Sequence, residues 1–300
     1  MRLTAYTVLI VLLQSLAYQT HAQGLVDGFM RGQRKASLAV IGSQDTYDSY
    51  YVGKTEIRNP NIGTVTTQAL TLVGTYGLGY DLDLIVAVPY IRTEASAGYS
   101  PKQEGFQDIS AALRWEAYDY KFGKLRVSWQ FALGYSVPLQ NYVNDALVAI
   151  GRGSRNFDAR TLLHFKTGKF FLTGQYGYIR RGQVTLDHVV NTYDPGQVNP
   201  ASGSTVNSPD VTDMSIRTGI ITKPFAADVW IQRQTPYNEG TDIGPGIPFP
   251  TNAVGFTRAG ASAYLRLIGK LGLTGGYSVT LDGRNIGKFT RITGGLVVGL

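Results

Sequence analysis

Leu125-Arg126-Val127-Ser128-Trp129-Gln130-Phe131-Ala132-Leu133-Gly134-Tyr135-Ser136-Val137 alternates without a break. Leu125, Val127, Trp129, Phe131, Leu133, Tyr135 and Val137 fall on one face, and Arg126, Ser128, Gln130, Ala132, Gly134 and Ser136 on the other. A period of two is that of a β-strand with one apolar and one polar side. The apolar side is large and aromatic, so a chain of 300 residues that repeats the pattern must hide it in a core or in lipid.

The pattern does repeat. Twelve strands are predicted, near Ala36 to Tyr50, Val65 to Leu78, Leu82 to Thr93, Phe106 to Tyr118, Leu125 to Val137, Phe157 to Phe165, Phe170 to Arg181, Val211 to Thr222, Ala226 to Tyr237, Ala253 to Leu267, Leu271 to Leu281 and Phe289 to Leu300. The number is even, as bacterial single-chain barrels require. Gly79-Tyr80-Asp81, Lys121 to Lys124, Lys166 to Lys169, Lys223-Pro224-Phe225 and Ile268-Gly269-Lys270 read as short turns. Between them stand longer connections, from Val52 to Thr64, Glu94 to Gly105, Pro138 to Asn156, Gly182 to Asp210 and Asn238 to Asn252, with a compact hairpin at Asp282 to Asn285. Short periplasmic turns facing long outer loops are the mark of an outer-membrane barrel.

The amino terminus agrees with export. Arg2 precedes an apolar run from Tyr6 to Leu16, and Thr20-His21-Ala22-Gln23 suits cleavage after Ala22, so residues 1–22 read as a cleaved signal peptide. The run is too short for a spanning helix, and no later segment is long enough, which leaves a closed barrel as the way to span a membrane. Residues 23–35, before the first strand, are expected to form either a plug folded back into the lumen or a periplasmic tail, and residues 36–300 the barrel. The 19 tyrosines suit the aromatic girdles of such barrels. With no cysteine, disulfides and thiolate chemistry are excluded.

If the apolar faces meet lipid, the opposite faces line the lumen. On this register the lumen-lining residues are Asp83, Asp108, Arg114, Glu116, Arg126, Asp158, Arg160, His164, Asp213, Arg217, Asp228, Arg258 and Arg291. Charges of both signs at these positions fit a hydrated interior far better than a dry sandwich core. They either pair across strands and staple the wall or form a polar constriction that filters solutes. Phe29, Phe171, Ile221 and Trp230 are the residues that would offer an apolar path.

No nucleophile elbow, zinc-protease helix or phosphate loop is present, and His164 and His188 have no partner spacing that favours catalysis. Asp45, Asp48, Asp81 and Asp83 lack the spacing of a calcium loop, and Gly244-Pro245-Gly246 reads as a rigid turn. No catalytic, cofactor or metal site is therefore expected. The net charge of +7 is scattered, without the clustered basic and aromatic surface of a nucleic-acid binder.

One run carries a resemblance. Tyr76-Gly77-Leu78-Gly79-Tyr80-Asp81-Leu82-Asp83-Leu84, then Val88-Pro89-Tyr90 and Gly105 to Trp115, resembles the outer-membrane proteins linked to the meta-cleavage pathway of phenol degradation, with Gln107 where glycine is common. The resemblance implies a transporter for aromatic or other hydrophobic small molecules. The last strand resembles a barrel sorting signal, with Leu300 in place of the more usual aromatic residue. The expectation is thus an all-β, transmembrane, antiparallel up-and-down barrel of about twelve strands in a Gram-negative outer membrane. It would act as a porin-like channel or transporter, with no enzymatic activity and no cofactor. Its partners would be outer-membrane lipid, lipopolysaccharide, a small-molecule solute and the barrel-assembly machinery. A structural or adhesive barrel, and an outer-membrane hydrolase, are the alternatives.

Overall fold

The computed structural model describes residues 26–300 except 59, 99, 145, 147, 187–204, 239 and 244–248. Residues 1–22, expected to be a signal peptide, His188, most of the loop centred on Asp194-Pro195-Gly196 and the turn expected at Gly244-Pro245-Gly246 lie outside the described residues.

Twelve long strands form the wall: β1 (Ala36–Tyr47), β2 (Val65–Gly79), β3 (Leu82–Ala95), β4 (Asp108–Phe122), β5 (Leu125–Pro138), β6 (Asn156–Thr167), β7 (Phe170–Arg181), β8 (Val211–Ile221), β9 (Phe225–Pro236), β10 (Gly255–Ile268), β11 (Leu271–Arg284) and β12 (Thr290–Gly299). Each pairs antiparallel with its neighbours in sequence, and β1 pairs with β12 from Ser37 opposite Gly299 to Thr46 opposite Thr290. That last pairing closes the sheet, so the wall has no free edge.

The fourth strand begins later than the alternation suggests. Residues Gln103–Phe106 pair with β3 as a separate short strand, and Gln107, whose N–H bonds the Pro89 carbonyl, makes the bend before Asp108. Proline cannot donate to a ladder, so the continuous pairing of β3 with β4 stops at Ala87 opposite Ser110. Two small hairpins extend the long-loop end, Ser49–Val52 with Thr55–Arg58 and Gln183–Thr185 with Thr205–Asn207.

Four of the five short connections are two residues long, with left-handed backbone at Tyr80 and Asp81, Gly123, Gly168 and Gly269. Positive φ at the turn matches the twist of the flanking strands and fixes their register. The first and last wall strands end together beside these turns, where the Leu300 N–H bonds the Ala36 carbonyl at 2.8 Å.

The alternation sorts side chains as the quoted stretch indicates. Trp129, Phe131, Leu133 and Tyr135 point outward and are exposed, as are Leu70 and Leu72, Ile216, Val229 and Ile231. At the short-turn end Tyr118 stacks on Trp129 and Trp115 on Phe131, within a band that includes Tyr120, Phe122 and Phe170. Ser128, Gln130 and Ala132, from the other face, are buried inside. An apolar belt with an aromatic rim around a polar interior is the surface of a membrane-spanning barrel. The interior also holds an apolar cluster, in which Val26 meets Ile85, Ala112, Ala132 and Leu162.

Candidate functional site in the barrel interior

Inside the wall the charges meet in pairs that the strand register sets up. Asp83 on β3 stands directly opposite Arg114 on β4, and their side chains meet at 2.7 Å, both buried. Asp45 on β1 stands opposite Arg291 on β12 and accepts two hydrogen bonds from its guanidinium across the closing seam. Arg217 on β8 reaches Asp228 on β9 at 2.6 Å, and Ser262 also donates to that carboxylate.

Arg160 on β6 bonds Asp158 at 2.7 Å on its own strand and Asp213 at 2.9 Å on β8, one strand beyond its neighbour. Gly177 on β7 lies in register between Arg160 and Asp213, and a Cβ there would run into the arginine's side chain. The glycine therefore leaves the gap through which Arg160 spans two strand spacings. Gln232 completes the Asp213 carboxylate at 2.7 Å.

The short-turn half of the interior is occupied by residues 26–35. The Arg114 guanidinium donates to Asp27 (2.5 Å) and the Phe29 carbonyl (2.5 Å) as well as to Asp83, while the Arg31 N–H donates to Asp83 at 2.9 Å. Gln130 donates to the Gly28 carbonyl. Phe29 sits edge-on to Phe171 and His164, and the Arg217 guanidinium lies over both phenyl rings. At the base, Arg34 N–H bonds the Gly77 carbonyl and Gly77 N–H the Lys35 carbonyl. A side chain at Gly77 would collide with the Gly32 carbonyl, so this glycine gives the segment its docking place on the wall. Burial pushes Arg31 down to about 10, partly offset by Asp27.

From the other end the connection between β5 and β6 folds inward. Val148, Ile150 and Ser154 are buried, and the Tyr142 hydroxyl donates to Asp108 at 2.5 Å while accepting from the Gly153 N–H at 2.8 Å. Burial and the Asp108 bond push the Tyr142 hydroxyl above its ordinary pKa. Between this loop and Val26 lies a cavity of about 220 Å³.

Of the remaining residues singled out from the sequence, Glu116 accepts from Gln130, and Arg126 makes a bidentate pair with Asp119 at the exposed short-turn rim. His164 Nδ1 shares a 2.7 Å hydrogen bond with Thr173 Oγ1. Arg258 stacks over Phe256 and Phe289. Trp230 and Phe171 are buried, and Ile221 packs against the apolar cluster. Sequence reasoning did not single out Asp27, Arg31, Arg152 or Arg181. The first three lie on segments without a strand period, and Arg181 ends a strand whose neighbour Arg180 is also basic.

A closed antiparallel barrel, apolar outside and ion-paired inside, is the architecture of outer-membrane channels, and comparison with solved structures places the chain in that fold class. A crystal structure of an outer membrane channel from Pseudomonas putida F1 aligns with 95% of this chain and 100% of its own, with a TM-score of 0.69 at 14% identity. The translocator domain of the autotransporter NalP from Neisseria meningitidis aligns with a TM-score of 0.44 at 12% identity, over 89% of this chain and 88% of its own. For the KdgM porin the TM-score is 0.43 at 7% identity, over 87% and 98%. No protein-family model and no curated protein matches the sequence.

Proposed function

We propose that this chain is an outer-membrane channel for passive movement of small solutes, with residues 26–35 acting as an internal plug on its periplasmic side. The reading rests on the docking of residues 26–35. The segment is held in the short-turn half of the lumen by side-chain and backbone hydrogen bonds and one buried ion-pair cluster, with Arg114 at its centre. Contacts of this kind can be exchanged for water in an interior built from charged walls, which suits a reversible closure.

In this reading the lumen-lining set is Asp83, Asp108, Arg114, Glu116, Arg126, Asp158, Arg160, His164, Asp213, Arg217, Asp228, Arg258 and Arg291. Most of these charges staple the wall in pairs and narrow the path. Phe29 and Phe171, edge-on to each other, offer an apolar patch beside them, which supports the hydrophobic or aromatic cargo suggested by the resemblance of the Tyr76 to Trp115 run. A signal peptide ending at Ala22, passage through the barrel-assembly machinery and contact with lipopolysaccharide belong to the same proposal.

The test is single-channel conductance in a planar bilayer of the mature chain from Gln23, set against a variant lacking residues 23–33. Discrete current steps are expected from both, larger and longer-lived in the shortened variant. Silence from both, with folding and insertion shown by resistance to external protease, would sink the channel.

A further inference from the structure

The cavity above Val26 carries a charge pattern that the wall pairs do not explain. Three arginines line it, Arg152 from the inward loop, Arg160 from β6 and Arg181 from the end of β7. Arg160 is neutralised by Asp158 and Asp213. Arg152 and Arg181 have no ion pair with a carboxylate among the described residues. Arg181 Nη1 bonds only the Pro209 carbonyl, and Arg152 Nη1 is shielded from solvent without a hydrogen bond.

Asp108, whose charge acts on Arg152, is engaged by the Tyr142 hydroxyl, and burial lowers Arg152 to about 10 despite that acid. Two guanidiniums directed to one sheltered space repel each other and lose hydration, a cost that an anion between them would offset. Guanidinium groups are matched in shape to a carboxylate, which they bind through paired N–H donors.

The rest of the lining is mixed. Val26, Ala112, Ala132 and Ile179 supply its apolar part, Ser136 and Asn156 are polar, and the one carboxylate, Asp158, is neutralised by Arg160. A space of about 220 Å³ is below the usual range for drug-sized ligands, so it admits only a compact body.

We propose that this cavity is a binding site for a small amphipathic carboxylate, its acid group held by Arg152 and Arg181 and its apolar body resting on Val26, Ala112 and Ile179. The inference deepens the channel reading and rests on it for the role of the site, as a way-station for solute between the outer loops and the plug.

The experiment uses the mature chain in detergent micelles, with benzoate as probe and benzamide as its uncharged counterpart. Titration calorimetry is expected to show one benzoate per chain, with benzamide at least tenfold weaker. Arg152→Gln and Arg181→Gln should each weaken benzoate at least tenfold and leave benzamide unchanged. The comparison of benzoate with benzamide needs only the unaltered protein, so a variant that fails to fold leaves the test intact. Equal affinity for the two probes, or variants that bind benzoate as tightly as the parent, would overturn the site. Conductance steps from a protein that binds benzoate no better than benzamide would overturn the site and keep the channel. Benzoate binding by a chain that is silent in bilayers would keep the site and remove the channel.

Discussion

Arg114 is the residue on which the interior turns. Its side chain is fully buried, yet it is matched by two carboxylates, Asp27 and Asp83, and by the Phe29 carbonyl. Removing one member of a buried ionic cluster strands the others without compensation, at a cost of about 3–5 kcal/mol. Arg114→Met is therefore expected to lower the unfolding temperature and to release residues 26–35, because Asp27 loses its anchor. Trypsin cleavage after Arg31, Arg34 or Lys35 checks the second effect. Continued protection of those sites in the folded variant would show that the segment is held by other contacts. From sequence alone Arg114 and Asp83 are legible as inward-facing, because the two-residue period puts them on the polar side of their strands. Their partner Asp27 is not, because residues 26–35 have no period to read.

At the level of elements, the alternation names all twelve wall strands, and the structure shifts mainly their ends. The fourth begins at Asp108 rather than Phe106 and runs on to Phe122, since Gln107 bends away to bond Pro89. The loops are where pattern gives least. The connection between β5 and β6 is rich in turn formers and small residues, yet it packs Val148 and Ile150 into the interior and pins itself through Tyr142. Tyr142→Phe removes the donor to Asp108 and the acceptor for the Gly153 N–H. A loss of about 1–3 kcal/mol is expected from leaving these groups unsatisfied, together with a more mobile loop. Hydrogen exchange at residues 148–155 would rise in the variant. Unchanged exchange would mean that the buried Val148 and Ile150 suffice to seat the loop.

For the molecule as a whole, closure is the governing constraint. The pairing of β1 with β12 joins residues separated by most of the chain, and Asp45 with Arg291 ties the same seam. A barrel open at one seam exposes two rows of unpaired backbone groups, each costing several kcal/mol in hydrocarbon. A chain ending at Phe289 therefore leaves β1 and β11 each with one unpaired edge and is expected to fail to insert into bilayer vesicles, as read by loss of protease protection. Insertion at the parent's yield would mean that β1 and β11 can pair directly around a smaller barrel.

The sequence alone was enough to specify the wall: strand number, the inward and outward sets, and the asymmetry of short and long connections. These are local matters, because a pleated strand alternates its side chains whatever it pairs with. The partners of the inward charges required the folded barrel. Arg160 reaches Asp213 through the space above Gly177, Asp27 finds Arg114 from a segment with no periodic signal, and Arg152 comes to face Arg181 from separate loop and strand. Each of these contacts depends on closure of the cylinder and on what folds into it, distances in space that no spacing along the chain encodes.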